Sequence, residues 1–447
     1  MPKNSDTITA IATPPGRGGI GIVRVSGNKT KDIFKALTGS SPNVRLAEFV
    51  SFKSSDQKII DKGIVLYFKA PASYTGEDVM ECHAHGSRIV LGMLLEEIIS
   101  LGARSAIPGE FTERAFLNNK IDLVQAEAIA DLIDSNSKKA ARSALQSLDG
   151  VFSNSIYQLR NRVFNAKALI EAALDFPEEE GIDIDVTPAA KDIRECLQLL
   201  NALLIKAESG RVLDQNPTVV IVGRPNAGKS SIINNLSGID SAIVSKIPGT
   251  TRDIIKEKVL IGDYAVTLID TAGIRETRDE IEIAGVEKTH NALRVADVIL
   301  HIQDQSDDST NQVDNLFETT SLTAKTIVVR NKIDLCKNNN FVDSEKEVYV
   351  SAKTNAGMDK LTEAICQTLD IVGNEEDLIF SRQRHLDALC LVSNSLQRVL
   401  ADIEAGLGLE VQAESLRYCL SCFDELTGRT TSDDVLGAVF SQFCIGK

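Results

Sequence analysis

The chain has 447 residues, 43% of them hydrophobic and 25% charged, which is an ordinary globular mix and excludes disorder as the main state. At about 150 residues per domain, that length points to three domains, each able to bury a core without disulfides or a structural metal. The net charge of -15 argues against a protein that coats nucleic acid alone, although a local basic face or a basic partner could bring it to RNA. The opening MPKNSDTITA has neither the apolar core of a signal peptide nor the Arg-rich pattern of a transit peptide, and no apolar run reaches a membrane-spanning length. Eight scattered cysteines read as reduced thiols, and the expected location is cytoplasmic with no membrane association.

Residues 1–118 alternate short extended runs with turns: Thr7 to Thr13, Ile64 to Phe68 and Val79 to His85. Ser87 to Leu101 then has helical spacing, so an α+β domain is expected. Gly16-Arg17-Gly18-Gly19-Ile20-Gly21 matches G-x-G-x-x-G, but Ile20 to Val25 reads as a strand. A dinucleotide site needs a helix there, so a glycine-rich hairpin is the better reading. His83 and His85 alternate on one strand. Without a third ligand cluster they read as ordinary strand histidines rather than a metal pair. From residue 119 to 214 apolar residues recur every three to four positions (Leu123, Ala126, Ala130, Ile133, then Leu145, Leu148, Phe152, Ile156), broken by the acidic loop Asp175 to Asp185. Helical texture returns over 376–447 (Leu386, Leu389, Val392, Leu396, Val399, Ile403) and is expected to run to the end. Cys419 and Cys422 form a lone C-x-x-C in that stretch and read as buried thiols. Residues 215–375 alternate apolar strands with helices, the pattern of a doubly wound α/β sheet. The expected fold is therefore multidomain, with an α/β domain inserted into a discontinuous helical one. Two separate helical bundles would give the same one-dimensional pattern.

Thr218 to Val222 runs into Gly223-Arg224-Pro225-Asn226-Ala227-Gly228-Lys229-Ser230 and then a helical stretch, the strand–loop–helix context of a P-loop. Gly223 and Gly228 let the backbone wrap phosphates, whose charge meets amide N–H groups and a helix N-terminus. Lys229 is expected to reach the β/γ-phosphates and Ser230 a Mg²⁺. Downstream, Gly249-Thr250-Thr251-Arg252-Asp253 offers the Thr251 hydroxyl to Mg²⁺. Asp270-Thr271-Ala272-Gly273 follows a strand and supplies a carboxylate for Mg²⁺ through water and the Gly273 N–H for the γ-phosphate. Asn331-Lys332-Ile333-Asp334 provides a carboxylate that accepts from guanine N1 and N2, and adenine has no such donor pair. Ser351-Ala352-Lys353 backs the base. Together these segments resemble the translation-factor class of GTPases. Ile274 stands where a Ras-like enzyme has a water-orienting Gln, so that group must come from elsewhere. Asn226 reads either as a loop-capping Asn or as a ligand for a monovalent cation beside the phosphates.

Thr13-Pro14-Pro15-Gly16-Arg17-Gly18-Gly19, Ala115-Phe116-Leu117-Asn118, the GTPase motifs and the ending Cys444-Ile445-Gly446-Lys447 together resemble the MnmE (TrmE) family of tRNA-modifying GTPases. The resemblance spans the chain. It implies a GTP site over Asn226, Ala227, Gly228, Lys229, Ser230 and Ser231. The site continues over Ser245, Lys246, Ile247, Pro248, Gly249, Thr250 and Thr251, then Asp270 to Gly273, Asn331 to Asp334 and Ser351 to Lys353. It implies Mg²⁺ on Ser230 and Thr251, and K⁺ on Asn226 with Ser245, Ile247 and Thr250. Lys229 and Glu282 would be catalytic, Glu282 positioning the water. The N-terminal domain would dimerise and bind a tetrahydrofolate derivative, 5-formyl- or methylene-, through Arg24, Glu81, Lys120 and Lys447, with Cys444 nearby as a catalytic thiol. The resemblance further implies a homodimer and a heterotetramer with the FAD protein MnmG. That assembly would install an aminomethyl or carboxymethylaminomethyl group at C5 of the tRNA wobble uridine. The competing reading, a GTPase switch in ribosome assembly, would call for a basic RNA-binding extension, and the flanks show none.

Overall fold

The computed structural model describes residues 6–175, 186–214, 217–238, 256–262, 264–270, 293, 296–306, 325–336, 341–344, 346–369, 381–430, 433–441 and 443–446. Contacts group the chain into two units: Met1–Ala130 with Leu148–Arg160 and Leu420–Lys447, and Asp131–Ser147 with Asn161–Cys419.

The first unit carries β1 (Ile8–Ile11), β2 (Gly18–Ser26), α1 (Thr30–Thr38), β3 (Glu48–Lys53), β4 (Ile59–Phe68), β5 (Val79–Gly86), α2 (Arg88–Ser100), β6 (Arg104–Ser105) and α3 (Glu110–Leu117). The sheet order is β3-β4-β5-β2-β1-β6, antiparallel except for the β1–β6 pair. Strand alternation sorts the two faces. Val23, Val25, Val65, Met80 and Cys82 point into one core with Ile33, Phe34 and Leu37 of α1 and Leu91, Leu94 and Ile98 of α2. Each such side chain contributes roughly 1.5–3 kcal/mol. Arg24 and Glu81 lie on the opposite face as direct cross-strand partners. On that face Phe111 of α3 packs against Ile8 and Ala10 of β1. The glycine-rich segment begins β2 and forms a hairpin with β1, as expected. Gly21 lets α2 press close onto the strand: a Cβ there would lie 2.5 Å from Leu91 Cδ1. Ile64 to Phe68 alternates between core and surface, as expected of an antiparallel strand with only one of its faces in the core.

The helical repeat that begins at Leu123 divides among α4 (Leu123–Asp134), α5 (Lys138–Leu148) and α6 (Val151–Asp175). A reciprocal cap starts α4, with Gln125 N donating to Asp122 Oδ1 and Asp122 N to Gln125 Oε1. Ser137 Oγ caps α5 by accepting from Ala140 N. The break before α6 falls at Gly150, whose φ of +86° is left-handed. α7 (Thr187–Asp214) follows.

In the second unit, β7 (Thr218–Gly223), α8 (Lys229–Gly238), β8 (Lys256–Ile261), β9 (Tyr264–Asp270), β10 (Val298–Asp304), β11 (Lys325–Asn331), β12 (Glu347–Tyr349) and α9 (Met358–Thr368) build the α/β part. Its order is β12-β11-β10-β7-β9-β8, parallel except for the β8–β9 hairpin. α8 and α9 cover one face through Ile232, Leu236, Leu361 and Ile365. Val220, Val222, Ile269 and Ile299 fill the other. This is the expected doubly wound sheet. α10 (Gln383–Glu404) packs along α7. Arg194 pairs with Glu404 at 2.9 Å and Ser381 Oγ donates to Ala207 O. The helix just before the α/β part and the helix just after it therefore pack on each other within one unit, which favours insertion over two bundles. α5 also belongs to this unit: Ala140 and Ala144 enter the α/β core, and Lys139 Nζ sits 4.4 Å from the Tyr264 ring centroid and bonds its hydroxyl.

α11 (Leu409–Thr427) carries Cys419 and Cys422, both buried and outside any disulfide, as expected. α12 (Asp433–Phe440) returns Phe440 and Phe443 onto Leu123 and Ala126 in the first unit. Helix was expected to the end, but residues 443–446 form a turn, with Gly446 at φ +102° against Ile11 and Ala12. No described helix is long and apolar enough to cross a membrane.

Candidate functional site: a nucleotide crevice and a second face

Sheet register brings the nucleotide motifs to one edge. Gly223 at the end of β7 pairs with Ile302 on β10, Asp270 at the end of β9 pairs with Ile221, and Asp304 pairs with Asn331. All lie at the carboxyl ends of parallel strands, where doubly wound sheets bind ligands. The P-loop connects β7 to the N-terminus of α8. Asn226 is exposed and left-handed at φ +63°, a conformation Asn tolerates. Gly228, at φ +96°, has no room for a side chain: a Cβ would lie 2.1 Å from Asn331 Nδ2. Lys229 is 7% exposed, and its Nζ donates to Gly223 O at 2.9 Å and Arg224 O at 2.8 Å. Ser230 and Ser231 are exposed on the first turn of α8, and Ala227 is buried.

Asn331 ties the phosphate and base segments together. It is 2% exposed, its Nδ2 donates to Ala227 O at 2.8 Å, and its Oδ1 accepts from Ala352 N at 3.1 Å. Ser351 is fully buried and donates to Asp334 Oδ1 at 2.6 Å, which fixes the orientation of that carboxylate. Asn235 Nδ2 donates to Ala352 O at 2.6 Å, a brace from α8 that no motif announces. Asp304 also escaped sequence reading. It pairs with Lys332 at 2.5 Å. Burial opposes its ionisation, but Lys332 and Ser306 outweigh that and hold the carboxyl below its usual range. The one available signal was a polar residue closing an apolar strand. The backbone of Asp270 is described, whereas Ser245 to Asp253, Thr271 to Ile274 and Glu282 lie outside the described residues.

The first unit holds the other predicted group. Arg24 Nε and Nη2 both bond Glu81 Oε1, at 3.0 and 2.8 Å. The guanidinium carbon lies 5.5 Å from the Tyr74 ring centroid and 5.7 Å from that of Phe111. Tyr74 OH meets Thr112 Oγ1 at 2.8 Å. Neither aromatic carries a sequence signal, because one sits in a turn and the other on a short helix. Lys120 Nζ donates to Pro71 O at 3.1 Å, on the same 71–76 loop that bears Tyr74. His83 reaches Glu81, which it shares with Arg24, at 3.4 Å, and His85 reaches Asp61 at 2.9 Å, so the two histidines turn to different carboxylates. Among the described residues no His, Cys, Asp and Glu cluster could hold a metal ion. Cys444 is exposed in the terminal turn, and Lys447 lies outside the described residues. On α3, Arg114 is 3% exposed and bonds Glu110, Glu77 and Asp6, while Arg104 bonds Asp6 and Glu110. Burial opposes ionisation of Glu110, yet Arg104, the Ile107 amide and Arg114 hold its carboxyl below the ordinary range.

A P-loop, the Asn331–Asp334 motif with its aspartate backed by Ser351, and an asparagine bonded to both the P-loop and the Ser351 segment mark a GTP hydrolase of the P-loop class. Sequence comparison gives the family. The model described as "GTP-binding protein TrmE N-terminus" matches residues 7–120, and the "MnmE helical domain" matches residues 123–444. The tRNA modification GTPase MnmE of Shewanella baltica (strain OS195) is 43% identical over 455 aligned positions, covering 99% of this chain and 100% of that protein. Its counterpart in Shewanella oneidensis is 43% identical over 453 positions with the same coverage. A crystal structure of Aquifex aeolicus Era bound to GDP and aluminium fluoride aligns over 40% of this chain and 66% of its own at 25% identity, with a TM-score of 0.27. The chain belongs to the MnmE (TrmE) family of tRNA modification GTPases.

Proposed function

We propose that this GTPase is potassium dependent and that, with a flavoprotein of the MnmG type, it modifies C5 of the wobble uridine of tRNA with a one-carbon unit from tetrahydrofolate. Asn331 carries the nucleotide half of the reading, because one buried amide bonds both the phosphate loop and the Ser351 segment. GTP phosphates would take the α8 N-terminus, and Lys229 would exchange two backbone carbonyls for phosphate oxygens. Ser230, with Thr251 and water-linked Asp270, would hold Mg²⁺, which neutralises phosphate charge. Asn226, already left-handed in the loop, would hold K⁺ with Ser245, Ile247 and Thr250, which supplies the charge an arginine finger gives elsewhere. Glu282 would orient the attacking water, since Ile274 cannot.

The folate half draws support from Arg24, which lies within cation–π distance of two rings and is paired with Glu81. That arrangement suits a flat ligand with hydrogen-bond donors. Lys120 and Lys447 would add positive charge, and Cys444 would act on the one-carbon unit. The division of labour we infer is residues 1–118 for folate and dimerisation, 119–214 with 376–447 for the helical frame, and 215–375 for GTP. The assembly would be a cytoplasmic homodimer that forms a heterotetramer with the flavoprotein, off the membrane. The deciding experiment is GTP hydrolysis in KCl and in NaCl at equal ionic strength. Strong acceleration by K⁺ is expected, and equal rates would remove the cation from the mechanism and reopen the role of Glu282. Binding of 5-formyl-tetrahydrofolate by the full chain, abolished in Arg24→Ala, tests the other half separately.

A further inference from the structure

Asp304 closes β10 directly across from Asn331, the first residue of the base-reading segment. The next residue, Lys332, takes a left-handed backbone (φ 67°, ψ 33°), which residues with side chains rarely adopt. It opens the 3-10 turn Ile333–Leu335 that carries Asp334. Lys332 therefore stands between the residue that anchors the phosphate loop and the residue that meets the base. Contacts from the end of β10 cross-brace this stretch. Gln305 N donates to Asn331 O at 2.9 Å, Lys332 Nζ to Asp304 Oδ2 at 2.5 Å, and Cys336 Sγ lies 3.7 Å from Gln305 O. The other oxygen of Asp304 accepts from Ser306 N at 3.0 Å and Ser306 Oγ at 2.6 Å. With both oxygens engaged, the carboxylate has one orientation, and so has the ammonium it holds.

We propose that Asp304 is a positioning residue for the guanine nucleotide site: it pins Lys332, and through Lys332 the turn bearing Asp334, before nucleotide binds. The inference rests on Asn331 to Asp334 being the base-recognition segment. The pair is partly exposed, at 31% for Lys332 and 23% for Asp304, so solvent screens it and the effect is moderate.

The test is the dissociation constant of a fluorescent GDP on the full chain. Asp304→Asn, Lys332→Met and the double variant form a cycle. Asp304→Asn is expected to weaken binding about threefold to tenfold, with kcat at saturating GTP within about twofold of wild type. The double variant should bind no more weakly than Lys332→Met, because Asp304 acts through that lysine. Ser306→Ala removes one of the two bonds to the other carboxylate oxygen and leaves the Ser306 amide bond and the ion pair in place, so its loss of affinity should be clearly smaller than that of Asp304→Asn. An unchanged constant for Asp304→Asn, full additivity in the cycle, or an equal loss in Ser306→Ala overturns the proposal. If Asp304→Asn does not fold, judged by circular dichroism, Lys332→Met alone decides, and unchanged affinity there also overturns it. Asp334→Asn, measured with GDP and XDP, separates the two levels: failure to shift preference to xanthine removes the base-site reading itself.

Discussion

Gly228 shows how a single hydrogen can be a functional group. Its φ of +96° and the 2.1 Å approach of a built Cβ to Asn331 Nδ2 leave no place for a methyl. Asn331 is the amide that joins the phosphate loop to the Ser351 segment, so displacing it damages both ends of the site. Gly228→Ala is expected to weaken GTP binding by about 100-fold or more, equivalent to about 3 kcal/mol or more, while far-ultraviolet circular dichroism stays native. Equilibrium binding of a fluorescent nucleotide checks this, and near-native affinity would mean the loop relaxes away from Asn331. At this scale much was legible. Gly223 to Ser230, Asn331 to Asp334 and Ser351 are contiguous strings whose chemistry follows from their spelling. Tyr74, Phe111, Asn235 and Asp304 were not legible, because their partners lie far along the chain and no spacing rule links them.

At the scale of elements, the α5 contact shows a helix chosen by small residues. Ala140 and Ala144, one turn apart and both buried, let α5 sit directly on the core beneath the β8–β9 hairpin. Lys139 adds a cation–π contact and a hydrogen bond to Tyr264, the first residue of β9. β9 ends at Asp270, so the hairpin gripped by α5 is also the one that carries the residue proposed above to reach Mg²⁺ through water. Ala144→Leu would overfill this seam at a cost of about 1–3 kcal/mol. The expected result is a lower urea midpoint with affinity for GDP reduced much less than in Gly228→Ala. An unchanged midpoint would show that α5 lifts freely from the core. The sequence marked α5 as part of a helical repeat. That it turns its alanines toward the α/β core was invisible, because alanine fits a helix surface, a helix–helix seam and a sheet face equally well.

Across the whole molecule, carboxylates held below their ordinary range occur in both units: Asp6 and Glu110 in the first, Asp304 and Asp343 in the second. A depressed folded-state pKa stabilises the fold above the unfolded value, near pH 4, and that stability disappears as pH falls through the folded value. Acid unfolding is therefore expected below about pH 4, followed by circular dichroism because the chain has no Trp. Arg114→Met leaves Glu110, itself 5% exposed, with less compensation for its buried charge. Its carboxyl should rise, the acid transition of the first unit should move to higher pH, and stability at neutral pH should fall by about 3 kcal/mol or more. An unmoved acid transition would show that Arg104 alone satisfies Glu110.

The sequence by itself determined the class of chemistry and most of the elements. Period-two and period-3.6 patterns report burial directly, and phosphate and guanine recognition depend on short contiguous segments that one chain must spell out. It also determined the family, through motifs distributed from Thr13 to Lys447. The tertiary structure decided what joins those pieces. It showed that α7 and α10, separated in sequence by the α/β segment, pack on each other, that three helices divide what reads as one repeat, and that Arg24 finds Tyr74 and Phe111. Hydrophobic burial is non-directional, so a pattern states that a face is covered without naming what covers it. Only side chains brought together from distant parts of the chain supply that name.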